Sequence, residues 1–335
     1  MHIGCNAPTS GPLIGPDNLR RIAQEAEALG FDYVTVSDHV IIPTSIASRY
    51  PYSDSGEFPS GAAAERLEQL TAATFIAAST STLRIVTSVM VVPHRPAVLT
   101  AKILATIDHL SKGRLTVGIG AGWCEEEFNA IGALPFAERG AVTDEFMMVC
   151  KELWSSDTPK FDGKYVQFKD VLFPPKPVQQ PIPIWVGGES GPAMRRAAKY
   201  GDAWYPIGTN PQFPMDTLER YKAGAAKLRG LTDKAGRDPG AVGLAYRVSS
   251  NPEAQPKSSI DGQRKLFTGG AADFVGDILA LHDAGVTSFD FGLFGSNLDA
   301  TLGNMRKFRD VVMAKVGEPA LERLRADESR DSAQR

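Results

Sequence analysis

Apolar positions along the chain follow two alternating rhythms. Short β-rich runs give way to longer stretches whose apolar residues recur at helical spacing, so strands and amphipathic helices are expected in succession. His2–Cys5 predicts a first strand. Leu19, Ile22, Ala23, Ala26 and Leu29 predict a helix that stops at Gly30. Phe31–Ser37 predicts the second strand, and Leu83–Val92, apolar without alternation, a third buried on both faces. Helices are expected from Glu65 to Ser79 and through Leu99, Ile103, Ile107 and Leu110. Leu115–Ile119, Ile182–Val186, Asp202–Ile207, Val242–Val248 and Thr287–Leu293 supply strands four to eight. The remaining helices fall at Phe136–Trp154, at Asp273–Ala284 and through Leu298, Leu302, Met305, Phe308 and Val312.

Crossovers of this length imply parallel neighbours. Eight such units predict an α/β fold, a (β/α)8 TIM barrel with insertions over residues 1–317, with a doubly wound open sheet as the alternative. Two segments break the rhythm: 41–60, dense in Pro, Ser and Tyr, and 155–180, with Asp-Gly and several prolines. Both are expected to be lid-like. Residues 318–335 form a charged tail, expected to be a frayed helix or disordered.

Composition narrows the function classes. The 335 residues are 43% hydrophobic and 22% charged with a net charge of −3, so the chain is globular and lacks the basic excess that nucleic acid requires. No apolar run approaches the ~20 residues that span a bilayer. The chain runs from Met1 directly into a strand with no basic leader, which predicts no signal peptide. Cys5, Cys124 and Cys150 form no C-x-x-C pair, which suits a reducing compartment, and a cytoplasmic location is expected. There is no H-x-x-x-H, no metal-spaced cluster and no G-x-S-x-G, so neither metal nor serine hydrolysis is supported.

Barrel chemistry gathers at the C-terminal ends of the strands. Strand two ends in Asp38-His39, an imidazole able to exchange a proton near neutral pH; the plainer alternative is a turn cap beside a buried ring. Strand three ends in Thr87-Ser88-Val89 and is followed by His94, for which a surface or capping role is expected. Strand four ends in Gly118, Gly120, Gly122 and Trp123. That spacing fails the dinucleotide fingerprint but lets a planar ring or phosphate approach the backbone. Glu125, Glu126 and Glu127 then open a helix, where acids suit the dipole and at least two are expected to cap. Strand five ends in Gly187-Gly188-Glu189-Ser190, either an anion cradle or a tight turn with Ser190 as N-cap.

Several segments taken in order resemble the bacterial luciferase-like superfamily. They are Gly30–His39, Leu83–Val89, Ser111–Trp123, Glu127-Phe128, Phe136–Gly140, Pro181–Ser190 and Gly201–Trp204, spanning nearly residues 1–315. The stretch Trp123–Arg139 and Trp185–Ser190 resemble the subgroup called probable F420-dependent oxidoreductases. The resemblance implies a tricyclic ring over the strand ends and hydride transfer between coenzyme F420, a deazaflavin, and a small organic substrate. The same fold admits an FMNH2-dependent monooxygenase using O2. A non-catalytic accessory barrel without cofactor is a third reading.

On this resemblance His39 is the catalytic proton partner, and Asp38 helps catalysis by contacting cofactor or substrate. Thr87, Ser88, Val89, Gly120 and Gly122 line the cofactor, with a non-prolyl cis peptide often found at the match for Ser88–Val89. Gly187, Gly188, Glu189 and Ser190 border its phosphate. One departure matters: deazaflavin sugar-phosphate dehydrogenases place a glutamate near the position of Trp123. A tryptophan cannot act as that acid, so Trp123 is expected to wall the substrate pocket and His39 to work alone. Tyr50, Tyr52, Phe58, Phe161 and Phe168 suit an apolar substrate, and the family implies a homodimer.

Overall fold

The computed structural model describes residues 1–59, 65–248, 257–259 and 261–317. Its strands are β1 (His2–Asn6), β2 (Tyr33–Val36), β3 (Arg84–Thr87), β4 (Met90–Val91), β5 (Leu115–Gly120), β6 (Phe161–Asp162), β7 (Gln167–Phe168), β8 (Ile184–Gly187), β9 (Ala203–Tyr205), β10 (Gly243–Arg247) and β11 (Val286–Phe291). The main sheet runs β3-β2-β1-β11-β10-β9-β8-β5-β4. Pairing of Ile85 with Leu115 and Val86 with Thr116 joins β3 to β5, so the sheet closes and the open-sheet alternative falls. β3 and β4 are one stave interrupted at Ser88–Val89, whose peptide is cis; Met90 and Val91 then resume pairing, with Ile119 and Gly120. The result is a closed parallel barrel of eight staves.

The helices are α1 (Pro16–Ala28), α2 (Gln69–Ser79), α3 (Ala97–Leu110), α4 (Glu125–Ala130), α5 (Arg139–Ser155), α6 (Gly191–Tyr200), α7 (Leu218–Lys234), α8 (Ala271–Asp283) and α9 (Leu298–Phe308). Each buries its apolar stripe on the barrel; α1, started by Pro16, buries Leu19, Ile22, Ala23 and Ala26. α2 begins later than periodicity predicts because the Glu68 carboxylate caps it, accepting from Thr71 N at 2.7 Å. Phe136–Glu138 is a 3-10 turn ahead of α5, and α9 continues into a π-helical turn at Arg309–Met313. Trp154, Trp204, Tyr221 and Phe289 are among the largest fully buried side chains.

The two insertions go to different places. Segment 155–180 carries the β6–β7 hairpin and lies along the helix layer. Its amides at Lys164, Tyr165 and Val166 donate to Glu145 of α5 at 2.7–2.9 Å, and Gln179 bonds Asp108 of α3 and Leu115 O. Phe161 and Phe168 stack on each other, 6.1 Å apart. These bonds hold the segment against α5 and α3. Segment 41–59 makes a different set of contacts: Ala47 N and Ser48 N donate to Glu126 of α4, and Tyr50 and Phe58 pack on Trp123. The predicted tail, 318–335, falls outside the described residues.

Candidate active site

The end of β2 holds two side chains that do different work. Asp38 is fully buried; its Oδ2 accepts from Val91 N at 2.8 Å and Arg95 at 2.7 Å, and its Oδ1 accepts from Arg95 at 2.7 Å. Both oxygens accept hydrogen bonds from within the protein, so Asp38 ties the end of β2 to β4 and Arg95. His39 points elsewhere. Its Nδ1 lies 2.8 Å from Glu127 Oε2, and its side chain keeps 14% exposure.

Glu127 is the residue that sequence reasoning missed. It was grouped with the acids opening α4, yet it is buried and reaches back to β2, accepting also from Val40 N at 2.8 Å and Ile41 N at 3.4 Å. Burial raises its pKa, but the bond and charge of His39, the charge of His94 and the Val40 amide outweigh this and hold the carboxyl below its usual value. An ionised Glu127 accepts a hydrogen bond from the Nδ1–H of His39, which leaves Nε2 for a ligand. His39 is thus paired, contrary to the expectation that it works alone. A usable sequence signal was the buried face of α4, where Glu127 and Phe128 stand side by side. Glu126 likewise leaves the helix: its Oε1 accepts from Ala47 N at 2.7 Å and Ser48 N at 3.0 Å.

His94 is neither a cap nor a surface residue. Its side chain is 2% exposed, packs edge-on to Phe128 at 4.7 Å and stands 4.0 Å from Glu127 Oε1. Neither ring nitrogen has a hydrogen-bond partner, and burial pushes its pKa down despite Glu127 and Asp38.

The glycines serve the stave break. The half-buried Val89 side chain projects between β5 and β8: a Cβ on Gly120 would sit 2.8 Å from Val89 Cγ2, and one on Gly187 3.0 Å from Val89 Cγ1. A Cβ on Gly122, at φ 87°, would press on Phe128 at 2.6 Å. Thr87 is buried and gives its hydroxyl to Gly118 O at 2.8 Å. Ser88 Oγ lies 2.9 Å from the Tyr205 hydroxyl, which donates to Asp290 Oδ1 at 2.5 Å, and Arg247 donates to Ser88 O at 2.9 Å.

On β8, Gly188 turns at φ 98° and Ser190 caps α6, accepting from Ala193 N at 3.4 Å. Glu189 points inward, accepting from Ile207 N and Asn210 Nδ2 at 2.8 Å each, and burial pushes its carboxyl up to about 7. Over the whole mouth lies an aromatic cover. Tyr50 and Phe58 pack on Trp123 at 5.0 and 5.2 Å, and His39 meets Phe58 at 5.2 Å. Cys5, Cys124 and Cys150 are free and buried. Among the described residues no His, Cys, Asp and Glu cluster is arranged for a metal, and no helix is long and apolar enough to cross a membrane.

The chain is similar to known proteins. The profile of the luciferase-like monooxygenase family matches residues 1–274. An uncharacterized protein of Mycobacterium tuberculosis is 31% identical over 305 residues, covering 88% of this chain and 94% of its own. The FMNH2-dependent dimethylsulfone monooxygenase of Pseudomonas fluorescens is 34% identical over 214 residues, 63% of this chain and 54% of its own. Among solved structures, an F420-dependent secondary alcohol dehydrogenase in complex with an F420–acetone adduct superposes with a TM-score of 0.68 at 20% identity, covering 93% of this chain and 98% of its own. The barrel, the interrupted third stave and the profile match agree: this chain belongs to the luciferase-like monooxygenase family.

Proposed function

We propose that the protein is an F420-dependent oxidoreductase in which His39 exchanges the proton that accompanies hydride transfer to or from a small organic substrate. The observation that carries this reading is the His39–Glu127 pair: a histidine with Nδ1 fixed by a buried carboxylate and Nε2 left for a ligand under an aromatic cover. The strand ends fit a planar tricyclic group. Gly120 and Gly187 present bare backbone on either side of Val89, whose side chain packs where theirs would stand and forms an apolar floor. Thr87, Ser88, Val89, Gly120 and Gly122 would hold the ring, and the Gly187–Ser190 turn with the start of α6 its phosphate. A deazaflavin bound there supplies or accepts the hydride. Glu127 fixes the tautomer of His39, and Tyr50, Phe58 and Trp123 exclude water and seat the substrate. Segment 41–59 acts as the lid. The same reading expects a cytoplasmic homodimer.

The second reading is an FMNH2-dependent monooxygenase using O2, favoured by the 34% identity to the dimethylsulfone enzyme. Titration of the purified protein with F420 and with FMN, followed by fluorescence, separates the two. Saturable F420 binding is expected; tight FMN binding without F420 binding removes the first reading. With a verified substrate, His39→Ala should lower turnover by about 10²–10⁴.

A further inference from the structure

We infer that the barrel mouth takes an organic anion, its oxyanion held by Arg66 and Arg247 and its apolar body by Tyr50, Phe58 and Trp123. This rests on the proposed site and gives its substrate a chemical class. Arg66 is partly buried with its guanidinium carbon 5.5 Å from the centre of the Phe58 ring, and its Nε is buried without a hydrogen-bond partner. Burial pushes its pKa down, with Glu127 and Tyr50 offsetting only part of that.

Glu127 is no hydrogen-bonded partner for Arg66, because its oxygens serve His39, Val40 and Ile41. The contrast with Arg95 is direct: that guanidinium grips both oxygens of Asp38 and one of Glu68. A guanidinium fork matches a carboxylate, sulfonate or phosphate edge, and a buried donor without an acceptor is costly.

Arg247 supplies the second cation. It donates to Ser88 O at 2.9 Å but not to nearby Asp290, whose Oδ1 accepts from Tyr205 and whose Oδ2 is buried without a partner. Burial raises the Tyr50 phenol, and the charges of Arg247 and Arg66 both act against that rise. Phe58 links Arg66 to the reacting end, since it also touches His39, 5.2 Å away. A neutral alkyl substrate would leave the Arg66 Nε–H without an acceptor; an aromatic or alkyl acid would supply one.

Calorimetry with benzoate and benzamide, a charged and a neutral version of one ring, tests this on the full-length protein without added cofactor. Benzoate should bind about tenfold tighter or more, with affinity falling as salt rises. Arg66→Met should bring benzoate affinity down to that of benzamide, while Arg66→Lys keeps part of the preference; circular dichroism checks that both variants fold. Equal binding of the two probes, binding of neither at millimolar concentration, or a preference that survives Arg66→Met overturns the inference. A parallel arm compares FMN with riboflavin: if Arg66→Met weakens FMN alone, the oxyanion is a cofactor phosphate and the assignment to substrate falls. Because the probes need no cofactor, this test and the F420 titration fail independently.

Discussion

Buried acids on the two sides of the barrel mouth are driven in opposite directions. On the side built by β2, β4 and β5, burial raises Glu127, but hydrogen bonds and neighbouring charge outweigh it and hold it below the usual carboxylate value. On the side built by β8 and β11, burial wins and pushes Glu189 up to about 7 and Asp290 up to about 6. Donor supply accounts for the difference. Glu127 receives an imidazole and two amides, with a second histidine close by. Glu189 receives one amide and one carboxamide, and Asp290 a single phenol, with the charge of Arg247 offsetting only part of its burial. Burial alone therefore does not fix the charge of a carboxylate; the donors around it do. One side is a charged frame, the other a reserve of protons held near neutral pH.

The sharpest way to break this contrast is Glu127→Gln. The amide keeps the shape but offers N–H where His39 now donates, reversing the tautomer and placing the proton on Nε2. Turnover should fall by about 10²–10⁴, close to the loss from removing His39 itself. Steady-state rates near neutral pH check this, and a loss under threefold would mean that Glu127 is only packing.

Next in size is Arg95→Met, which leaves Asp38 buried without its counter-charge. Unfolding stability should drop by about 3–5 kcal/mol in urea melts. A double variant that also carries Asp38→Asn should recover much of it.

The smallest effect tests the opposite side. Asp290 has a folded pKa of about 6 against an ordinary 3.8, so the folded state holds its proton more tightly than the unfolded chain. That stabilisation is complete below the ordinary value and is lost as pH rises through about 6. Relative to Asp290→Asn, the parent protein should lose stability on the order of 2 kcal/mol between about pH 4 and pH 7. Parallel slopes for the two proteins would show that Asp290 does not titrate in that window.

The barrel was legible because its information is local. Apolar runs such as Leu83–Val92 and spaced positions such as Leu19, Ile22, Ala23 and Ala26 report burial directly, and the ends of those runs placed His39 at the mouth. Partnerships were not legible. Glu127 lies 88 positions from His39 and Arg95 57 from Asp38, and neither spacing leaves a mark on a linear pattern. Glu127 sits among three acids at a helix start, where the dipole offers a sufficient reason for all of them, so its inward turn was hidden. Arg66 was invisible for the same reason: a lone arginine becomes notable only when its environment lacks an acceptor. In segment 155–180, proline and aromatic content marks an insertion without saying which face it covers.

The cover and the proton pair are fastened by adjacent residues of α4, Glu126 gripping the amides of Ala47 and Ser48 and Glu127 gripping His39. That arrangement makes the cover an interchangeable part. A loop of different length or composition can be grafted over the same barrel as long as it delivers two consecutive free amides to Glu126 and spares the turn at Val40 and Ile41. For anyone redesigning specificity, the transferable unit is therefore the segment that follows the turn at Val40 and Ile41, and the His39–Glu127 pair beneath it can stay untouched.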